Sequence, residues 1–213
     1  MSDVVLYDFW LSSASYRARI ALNLAGISYR SVPVSLATGQ QKSPEHHARN
    51  PQELVPALAI DGLLLTQSLS IIEYLDETRP GLGLLPANAA GRANMRAVAY
   101  AIAMDIQPVC NLRVVLHVME ITGKGEPARQ AWMQKFIGEG LAAVEAMLQS
   151  TPGPLCFGET PALADICLVP QVFNARRWNA DISGCKRILD ICGRLEKLDA
   201  FTRAHPDRVK PAA

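Results

Sequence analysis

The sequence lacks the cysteine spacing that a zinc site or a disulfide framework requires. Its five cysteines are an odd number and include no Cys-x-x-Cys pair. They are Cys110, Cys156, Cys167, Cys185 and Cys192. We therefore expect reduced thiols in the core rather than metal ligands or disulfides. His46 and His47 are adjacent instead of four residues apart, so we expect them on a solvated surface and not at a metal.

Neither sign of charge predominates, and long apolar runs are missing. The chain has 21 Lys and Arg against 20 Asp and Glu, a net charge of +1, which gives no general argument for binding nucleic acid or an anionic membrane. No apolar run approaches the length of a membrane span, and the N-terminus has no basic region followed by a long apolar block. We therefore expect a soluble, cytoplasmic protein with neither nucleic acid nor membrane among its partners.

The sequence does contain enough apolar residues for a sizeable core. Hydrophobic residues make up 49% of the 213 residues and charged residues 19%, which suits one large domain or two modest ones. The predicted elements of the first part are a strand over 4–9, a helix from Ser15 to Gly26, a strand over 29–34, an irregular segment over 36–49, a hairpin that turns at Asp61-Gly62, and a helix that starts near Ser68 and ends at Pro80-Gly81. Residues 1–81 are therefore predicted to form an α/β domain.

The rest of the chain has helical patterns after a short linker over 82–88. The predicted helices cover 89–119, with a kink near Pro108, then 127–149, 162–176 and 189–204. Residues 88–213 are therefore predicted to form an all-helical domain.

A serine-rich turn over 11–19 connects the first strand to the first helix. Ser15 is the predicted N-cap, with Ser12 and Ser13 just before it. Unpaired amides and the helix dipole attract anions to a helix start, and a thiolate held there has a lowered pKa. These residues alone fit an ordinary helix start as well as a site where Ser12 and Ser13 hold the thiolate of a ligand.

Further motifs follow this turn in a fixed order along the chain. The set comprises 12–17, 50–51, 54–58, 67–75, 106–108, 111–113, 164–165, 168–172, Asn174, Ala175 and Arg177. In this combination the chain resembles the glutathione transferase superfamily over its whole length. Within it, the chain is most similar to the zeta class, which includes maleylacetoacetate isomerases, and to the related bacterial maleylpyruvate isomerases. The resemblance implies a thioredoxin-like N-terminal domain, an all-α C-terminal domain, a homodimer, glutathione as cofactor and a role in aromatic amino acid catabolism.

The resemblance also implies which residues bind glutathione. A cis bond before Pro56 would let Val55 offer its backbone N–H and C=O to the cysteinyl part. Gln67 and Ser68 would hold the γ-glutamyl end at a helix N-terminus, which favours its carboxylate. The full implied set is Ser12, Ser13, Ser15, Gln41, Val55, Pro56, Gln67, Ser68, Gln107 and Asn111. From the residues alone, Ser68 could equally be a structural N-cap and Gln41 an exposed polar residue.

The implied catalytic residue is Ser12, supported by Ser13, because it would hold the thiolate of glutathione. In the isomerases, that thiolate adds to the cis double bond of a maleyl group, the bond rotates as a single bond, and the thiolate leaves. The substrate is acidic, and the fork of an arginine suits carboxylates. The implied substrate-binding residues are Arg17, Arg113 and Arg177, although Arg17 or Arg19 could instead brace a domain interface.

Leu11, Ala14 and Ala162 depart from the zeta pattern, which commonly has Arg, Cys and a hydroxyl residue there. Leu11 removes a cation that could orient an acidic substrate, whereas the glutathione motifs are intact. The hypotheses are therefore an isomerase, a glutathione transferase that conjugates or dehalogenates small electrophiles, and a glutathione-binding protein without catalysis. Retention of Ser12 and Ser13 argues against the third, because binding alone needs no activated thiolate.

Overall fold

The computed structural model describes residues 4–211. Its strands are β1 (Val5–Asp8), β2 (Arg30–Pro33), β3 (Ala57–Ile60) and β4 (Leu63–Thr66). Its α-helices are α1 (Ser13–Leu24), α2 (Pro44–Arg49), α3 (Ser68–Thr78), α4 (Ala89–Tyr100), α5 (Gln107–Val109), α6 (Leu112–Thr122), α7 (Gly125–Leu148), α8 (Leu163–Arg177), α9 (Lys186–Leu195), α10 (Asp199–Ala204) and α11 (Pro206–Val209). A 3-10 turn covers Gln40–Lys42, and a π-helical segment covers Ala101–Ile106.

The four strands form one sheet in the order β2-β1-β3-β4. β1 is parallel to β2 and antiparallel to β3, and β3 is antiparallel to β4. The hairpin turns at Asp61 and Gly62, whose φ angles of 53° and 77° fit the predicted Asp-Gly turn. Helix α1 packs against α3. This is the predicted thioredoxin-like arrangement.

The chain divides into two compact units. The first runs to Leu84 and also includes the chain from Lys197, and the second is the helical stretch Leu85–Glu196. The predicted domains, 1–81 and 88–213, differ because they assign the last segment to the helical domain. Residues 1–3 and 212–213 of those predicted domains lie outside the described residues.

Buried contacts from α1 hold the last segment in the α/β unit. The Arg19 side chain donates from Nε to Ala204 O over 3.0 Å, and Asn23 Nδ2 donates to Ala200 O over 2.9 Å. Phe201 of α10 is buried. These partners are far apart in the sequence, so helical periodicity alone could not show which unit α10 joins.

Arg19 also pairs with a buried carboxylate. Its Nη1 donates to Asp8 Oδ2 over 2.6 Å, and its Nη2 donates to Trp10 O over 3.0 Å. The second Asp8 oxygen accepts from Ser31 Oγ over 3.0 Å. A buried ion pair is tolerated when its remaining donors and acceptors are also satisfied. Arg19 therefore braces the interior of the α/β unit.

Pro108 divides the predicted kinked helix into several segments. Helix α4 ends at Tyr100, the π-helical segment follows, and α5 ends at Val109. Proline has no N–H, and its ring crowds the carbonyl four residues earlier, which favours wider i→i+5 hydrogen bonds before it. The backbone N–H of Gln107 accordingly donates to Ile102 O.

The N-cap of α8 is Ala162, whose side chain has no hydroxyl to cap the helix. Asp165 still makes the reciprocal capping hydrogen bond, because its Oδ2 accepts from Ala162 N over 2.9 Å. Its Oδ1 accepts from Cys156 N over 3.0 Å. Burial raises the pKa of Asp165, while these amides act in the opposite direction. The carboxylate thus ties the preceding loop to the start of α8.

The consecutive helical segments of Ala89–Thr122 contain an 18-residue window with a mean hydropathy of 1.2, which is long and apolar enough by composition to cross a membrane. Core helices of proteins without membrane spans pass the same test. The stretch is also interrupted at Cys110 and Asn111. The absence of a membrane partner therefore stays a prediction.

Candidate active site

Ser12 is the N-cap of α1, three residues before the predicted N-cap Ser15. Its Oγ accepts from Ser15 N over 3.2 Å, and its backbone N–H donates to Phe9 O over 2.9 Å. Ser15 lies inside the first turn and is fully buried, with its Oγ 3.4 Å from the Phe9 N that donates to it. The prediction that Ser15 is the N-cap was wrong. Neighbouring serines have similar capping propensities, and the backbone turn after β1 places Ser12 at the cap position.

The Ser12 hydroxyl is half-buried and suited to a thiolate. Because Oγ accepts a backbone N–H, the hydroxyl proton is left to donate to a ligand. The first-turn amides and the dipole of α1 favour negative charge at the same place. Ser13, the first residue of α1, is also half-buried. The two serines therefore lie where an anionic ligand is favoured, and their role towards a thiolate stays a prediction.

The peptide bond between Val55 and Pro56 is cis, as the resemblance implies. Val55 is buried just before β3. Its backbone N–H and C=O take part in none of the turn and loop hydrogen bonds among residues 4–211. Both groups are therefore available to pair with an extended peptide ligand, in the manner of an added strand.

Two side chains from the α2 region hold the carbonyl that precedes Val55. His46 Nε2 lies 2.9 Å from Leu54 O, and Asn50 Nδ2 donates to the same oxygen over 2.9 Å. His46 is 1% exposed, so the prediction of a solvated surface was wrong for it, whereas His47 is exposed. Sequence reasoning missed His46 because its partner is a backbone carbonyl, which leaves no pattern in side-chain types.

The start of α3 forms a second helix end that favours anions. Gln67 is the N-cap of this helix with a φ of 66°, and its side chain makes no capping hydrogen bond. Ser68 is the buried first residue of α3 and not its N-cap. Arg17 Nε donates to Ser68 Oγ over 3.0 Å, so the Ser68 proton points to another acceptor. The open amides and this hydroxyl suit a carboxylate.

Arg17 and Gln41 also bear on glutathione binding. Arg17, predicted to bind substrate, is 3% exposed and contacts Ser68 of the predicted γ-glutamyl site. Gln41 lies in the 3-10 turn, and its Oε1 is buried without a hydrogen-bond partner in the described part of the chain. An unpaired buried acceptor is unfavourable, and a donor on a bound ligand would satisfy it. The chain therefore fits the cofactor that the resemblance implies.

The sheet register brings these segments to one edge. Tyr7 pairs with Ala57, and Ala57 pairs on its other side with Thr66. The end of β1, the start of β3 and the end of β4 are therefore adjacent. The chain runs from the end of β1 to Ser12 and from the end of β4 to Ser68, and the start of β3 directly follows the cis bond. A ligand along this edge can reach all three places.

The remaining predicted site residues lie in the helical unit. Gln107 follows the π-helical segment, and Asn111 is the N-cap of α6, where it accepts from Arg113 N over 3.1 Å. Arg113 is exposed. Arg177 lies in the last turn of α8. The binding roles of these four residues stay predictions.

The protein's own thiols are poorly placed to act as nucleophiles. All five cysteines are free and buried, as predicted. Burial raises the pKa of Cys110 to about 11, and it also raises the pKa of Cys156, Cys185 and Cys192. These shifts disfavour the thiolate form of the four cysteines, so we expect a nucleophilic thiolate to come from a ligand.

Known proteins match the chain over its whole length. The family model of the glutathione S-transferase N-terminal domain matches residues 2–77. A maleylacetoacetate isomerase of Rhizobium meliloti (strain 1021) is 61% identical, and the match covers 99% of each chain.

Two solved structures extend this likeness to the fold. A holo maleyl pyruvate isomerase, a bacterial glutathione S-transferase of the zeta class, is 41% identical with a TM-score of 0.94, over 98% of this chain and 100% of its own. A maleylacetoacetate isomerase of Methylobacterium extorquens AM1, with malonate and GSH bound, is 37% identical with a TM-score of 0.93, over the same shares. With the cis bond and the serine cap at one sheet edge, these matches show that the chain belongs to the zeta-class glutathione transferases, the family of the maleylacetoacetate and maleylpyruvate isomerases.

Proposed function

We propose that this chain is a glutathione-dependent cis–trans isomerase that acts on maleylacetoacetate or maleylpyruvate. The observation that carries the proposal is the Ser12 hydroxyl at the start of α1, whose oxygen is already engaged by Ser15 N and whose proton is free to donate. The relatives named above are isomerases of these two substrates. When bound, glutathione supplies a thiolate that adds to the maleyl double bond, permits rotation and leaves unchanged.

Ser12 and the first turn of α1 stabilise the charged sulfur. A free thiol has a pKa of about 8.5, and lowering it by two units requires about 2.7 kcal/mol of preferential stabilisation of the thiolate. A hydroxyl proton aimed at the sulfur and the amides of a helix start act in the same direction. Val55 and the open start of α3 hold the rest of the peptide, so the sulfur is fixed beside Ser12.

Arg177 is the residue proposed to bind a carboxylate of the substrate. Among residues 4–211 it forms no ion pair, whereas its neighbour Arg176 pairs with Glu196. An unpaired guanidinium can accept a carboxylate through two parallel hydrogen bonds. Arg113, which is also exposed, is a second candidate for the same task.

Leu11 favours a second candidate function. It is half-buried just before Ser12 and makes this side of the thiolate site apolar. A site without a cation there suits uncharged electrophiles better than a dicarboxylate. The alternative is therefore a glutathione transferase that conjugates or dehalogenates small electrophiles.

Product analysis separates the two functions. Purified protein is mixed with maleylpyruvate or maleylacetoacetate and substoichiometric glutathione, and both the fumaryl product and free glutathione are measured. An isomerase gives many turnovers per glutathione and leaves its concentration unchanged, and Arg177→Ala loses most of the rate whereas Arg176→Ala does not. Consumption of glutathione, or no turnover while glutathione still binds, contradicts the isomerase and favours the transferase.

We also propose that the protein is a cytoplasmic homodimer that takes part in the breakdown of aromatic amino acids. The family resemblance supports all three parts of this proposal. The exposed side chains of Leu63 and Leu64 on the edge strand β4 support the dimer alone. Sedimentation equilibrium tests the dimer, since a mass near 23.1 kDa would contradict it. Cell fractionation tests the location.

A further inference from the structure

Two arginines in the helical unit lie against one tryptophan. The Arg129 guanidinium carbon is 4.7 Å from the centre of the Trp178 ring, and that of Arg177 is 5.3 Å from it. The negative face of an indole ring attracts both cations. Two like charges are thereby held close to one another.

The end of α8 is fixed so that these groups stay in place. Asn179 has a φ of 51°, and Ala180 N donates to Ala175 O over 3.0 Å, which closes the helix end. Gln134 of α7 donates to both Trp178 O and Asn179 O over 3.2 Å. Helix α7 therefore holds the backbone of Trp178 and also carries Arg129.

Two buried donors lack hydrogen-bond partners in the cluster formed by Arg129, Arg177 and Trp178. Arg129 Nε and Trp178 Nε1 are buried, and neither has a hydrogen-bond partner among residues 4–211. Nε is bonded to the guanidinium carbon and Nε1 belongs to the ring, so both donors lie in the same small region. Buried donors are rarely left unpaired without a water or a ligand.

The charges in the cluster are only partly balanced. Arg129 Nη1 pairs with Glu126 Oε1 over 2.7 Å, but Arg177 has no carboxylate partner in the described part of the chain. Partial burial and the nearby Arg129 charge lower the pKa of Arg177. An anion bound here would relieve the repulsion between the two cations.

We propose that Arg129 and Trp178 form one carboxylate-binding site together with Arg177. Arg177 contacts the carboxylate of an acidic ligand. Arg129 is a positioning residue, because it holds the Trp178 ring and adds positive potential beside Arg177. This inference rests on the proposed function only for the identity of the acidic ligand.

Malonate binding tests the site without any turnover. Malonate is an unreactive dicarboxylate, and its dissociation constant is measured by calorimetry at low salt for the full-length protein. We expect Arg129→Met to weaken binding about fivefold, and Arg129→Lys to recover most of the loss. Circular dichroism checks that each variant is folded.

Two further variants separate positioning from a general charge effect. Arg176→Met removes the same charge one residue from Arg177, but Arg176 is already paired with Glu196, so we expect less than about a twofold change. Glu126→Gln frees the Arg129 charge, so we expect tighter binding when Arg129 is present and no tightening in the Arg129→Met background, whereas a general charge effect would tighten binding in both.

The inference is overturned by any of three results. Wild-type protein does not bind malonate, folded Arg129→Met binds malonate as well as wild type does, or Arg176→Met weakens malonate binding as much as Arg129→Met does.

The failure of this inference can be distinguished from the failure of the proposed function. If maleyl substrates are not turned over but malonate binding follows the expected pattern, the carboxylate site stands and the isomerase does not. If maleyl substrates are turned over but malonate binding lacks that pattern, the isomerase stands and the carboxylate site does not.

Discussion

At the scale of single residues, the site depends on a hydroxyl and not on a cysteine. Ser12 offers a proton at a helix start, where its oxygen is already engaged by Ser15 N. The five thiols are buried, and burial raises the pKa of Cys110, Cys156, Cys185 and Cys192. Because all five cysteines are buried, we expect a bound ligand to supply the nucleophile and Ser12 to make it anionic.

This placement predicts how the thiols respond to pH. Burial raises the pKa of Cys110 to about 11, so its thiolate is scarce at neutral pH and becomes abundant only as the pH approaches that value. We expect iodoacetamide to label native protein slowly at neutral pH. Labelling should accelerate with rising pH, first at Cys110 and Cys185, which are 9% and 4% exposed, whereas the other three cysteines are fully buried.

Peptide mapping by mass spectrometry measures this labelling site by site. Protein unfolded in urea serves as the control, in which all five cysteines should react at the rate of free thiols. Rapid labelling of any cysteine in the native protein at neutral pH would show that the chain has a reactive thiol of its own.

Single residues also show which site features can be predicted from sequence. The serine cluster revealed the helix start, because capping depends on local residue types. It did not reveal which serine caps, since that depends on how the chain leaves β1. His46 escaped prediction for a related reason, since its partner Leu54 O is fixed only by the fold.

At the scale of elements, close packing between α7 and the π-helical segment positions Gln107. Gly140 of α7 faces Ile106, the residue before Gln107. A Cβ on Gly140 would lie 2.6 Å from Ile106 Cδ1, well inside van der Waals contact. Ile106 is buried at 4% exposure, so its side chain has little room to move.

Gly140→Ala is therefore expected to destabilise the protein. We expect the free energy of unfolding to fall by about 1–3 kcal/mol, the usual effect of overpacking, although alanine is the better helix former. Urea denaturation measures the change. A shift of Gln107 should also alter the affinity for glutathione, if Gln107 contacts it as predicted.

Gly193 provides a matched control. It lies in α9, and a Cβ built on it meets nothing within 4 Å. Gly193→Ala should therefore stabilise the protein by about 0.5–1 kcal/mol through helix propensity alone. Equal stabilisation by Gly140→Ala would contradict the packing argument.

Elements defined by local signals were predictable, and those defined by distant partners were not. The Asp61-Gly62 turn and the end of α1 just before Gly26 follow from short motifs, and both are present: α1 ends at Leu24, and Gly26 follows with a φ of 66°. Pro108 indicated a kink but not the π-helical segment, which packs closely against α7. Helix α10 joins the α/β unit through contacts such as that of Arg19 with Ala204, almost the whole chain apart.

At the scale of the whole molecule, the candidate site residues are divided between the two units. The α/β unit carries the proposed thiolate site at Ser12, the open backbone at Val55 and the anion-favouring start of α3. The helical unit carries Arg177 and its aromatic neighbour Trp178. The assignment of a cofactor unit and a substrate unit comes from the family resemblance and stays a prediction, because neither composition nor periodicity distinguishes the two roles.

The central claim is that Ser12 makes the sulfur of bound glutathione anionic, and a pH titration of the thiolate absorption band in the ultraviolet tests it most directly. For wild-type protein saturated with glutathione, we expect an apparent thiol pKa about two units below the free value of about 8.5. Ser12→Thr, which keeps the hydroxyl, should retain most of this shift, and Ser12→Ala should lose it. A thiolate band of wild-type strength at neutral pH in glutathione-saturated Ser12→Ala would contradict the account.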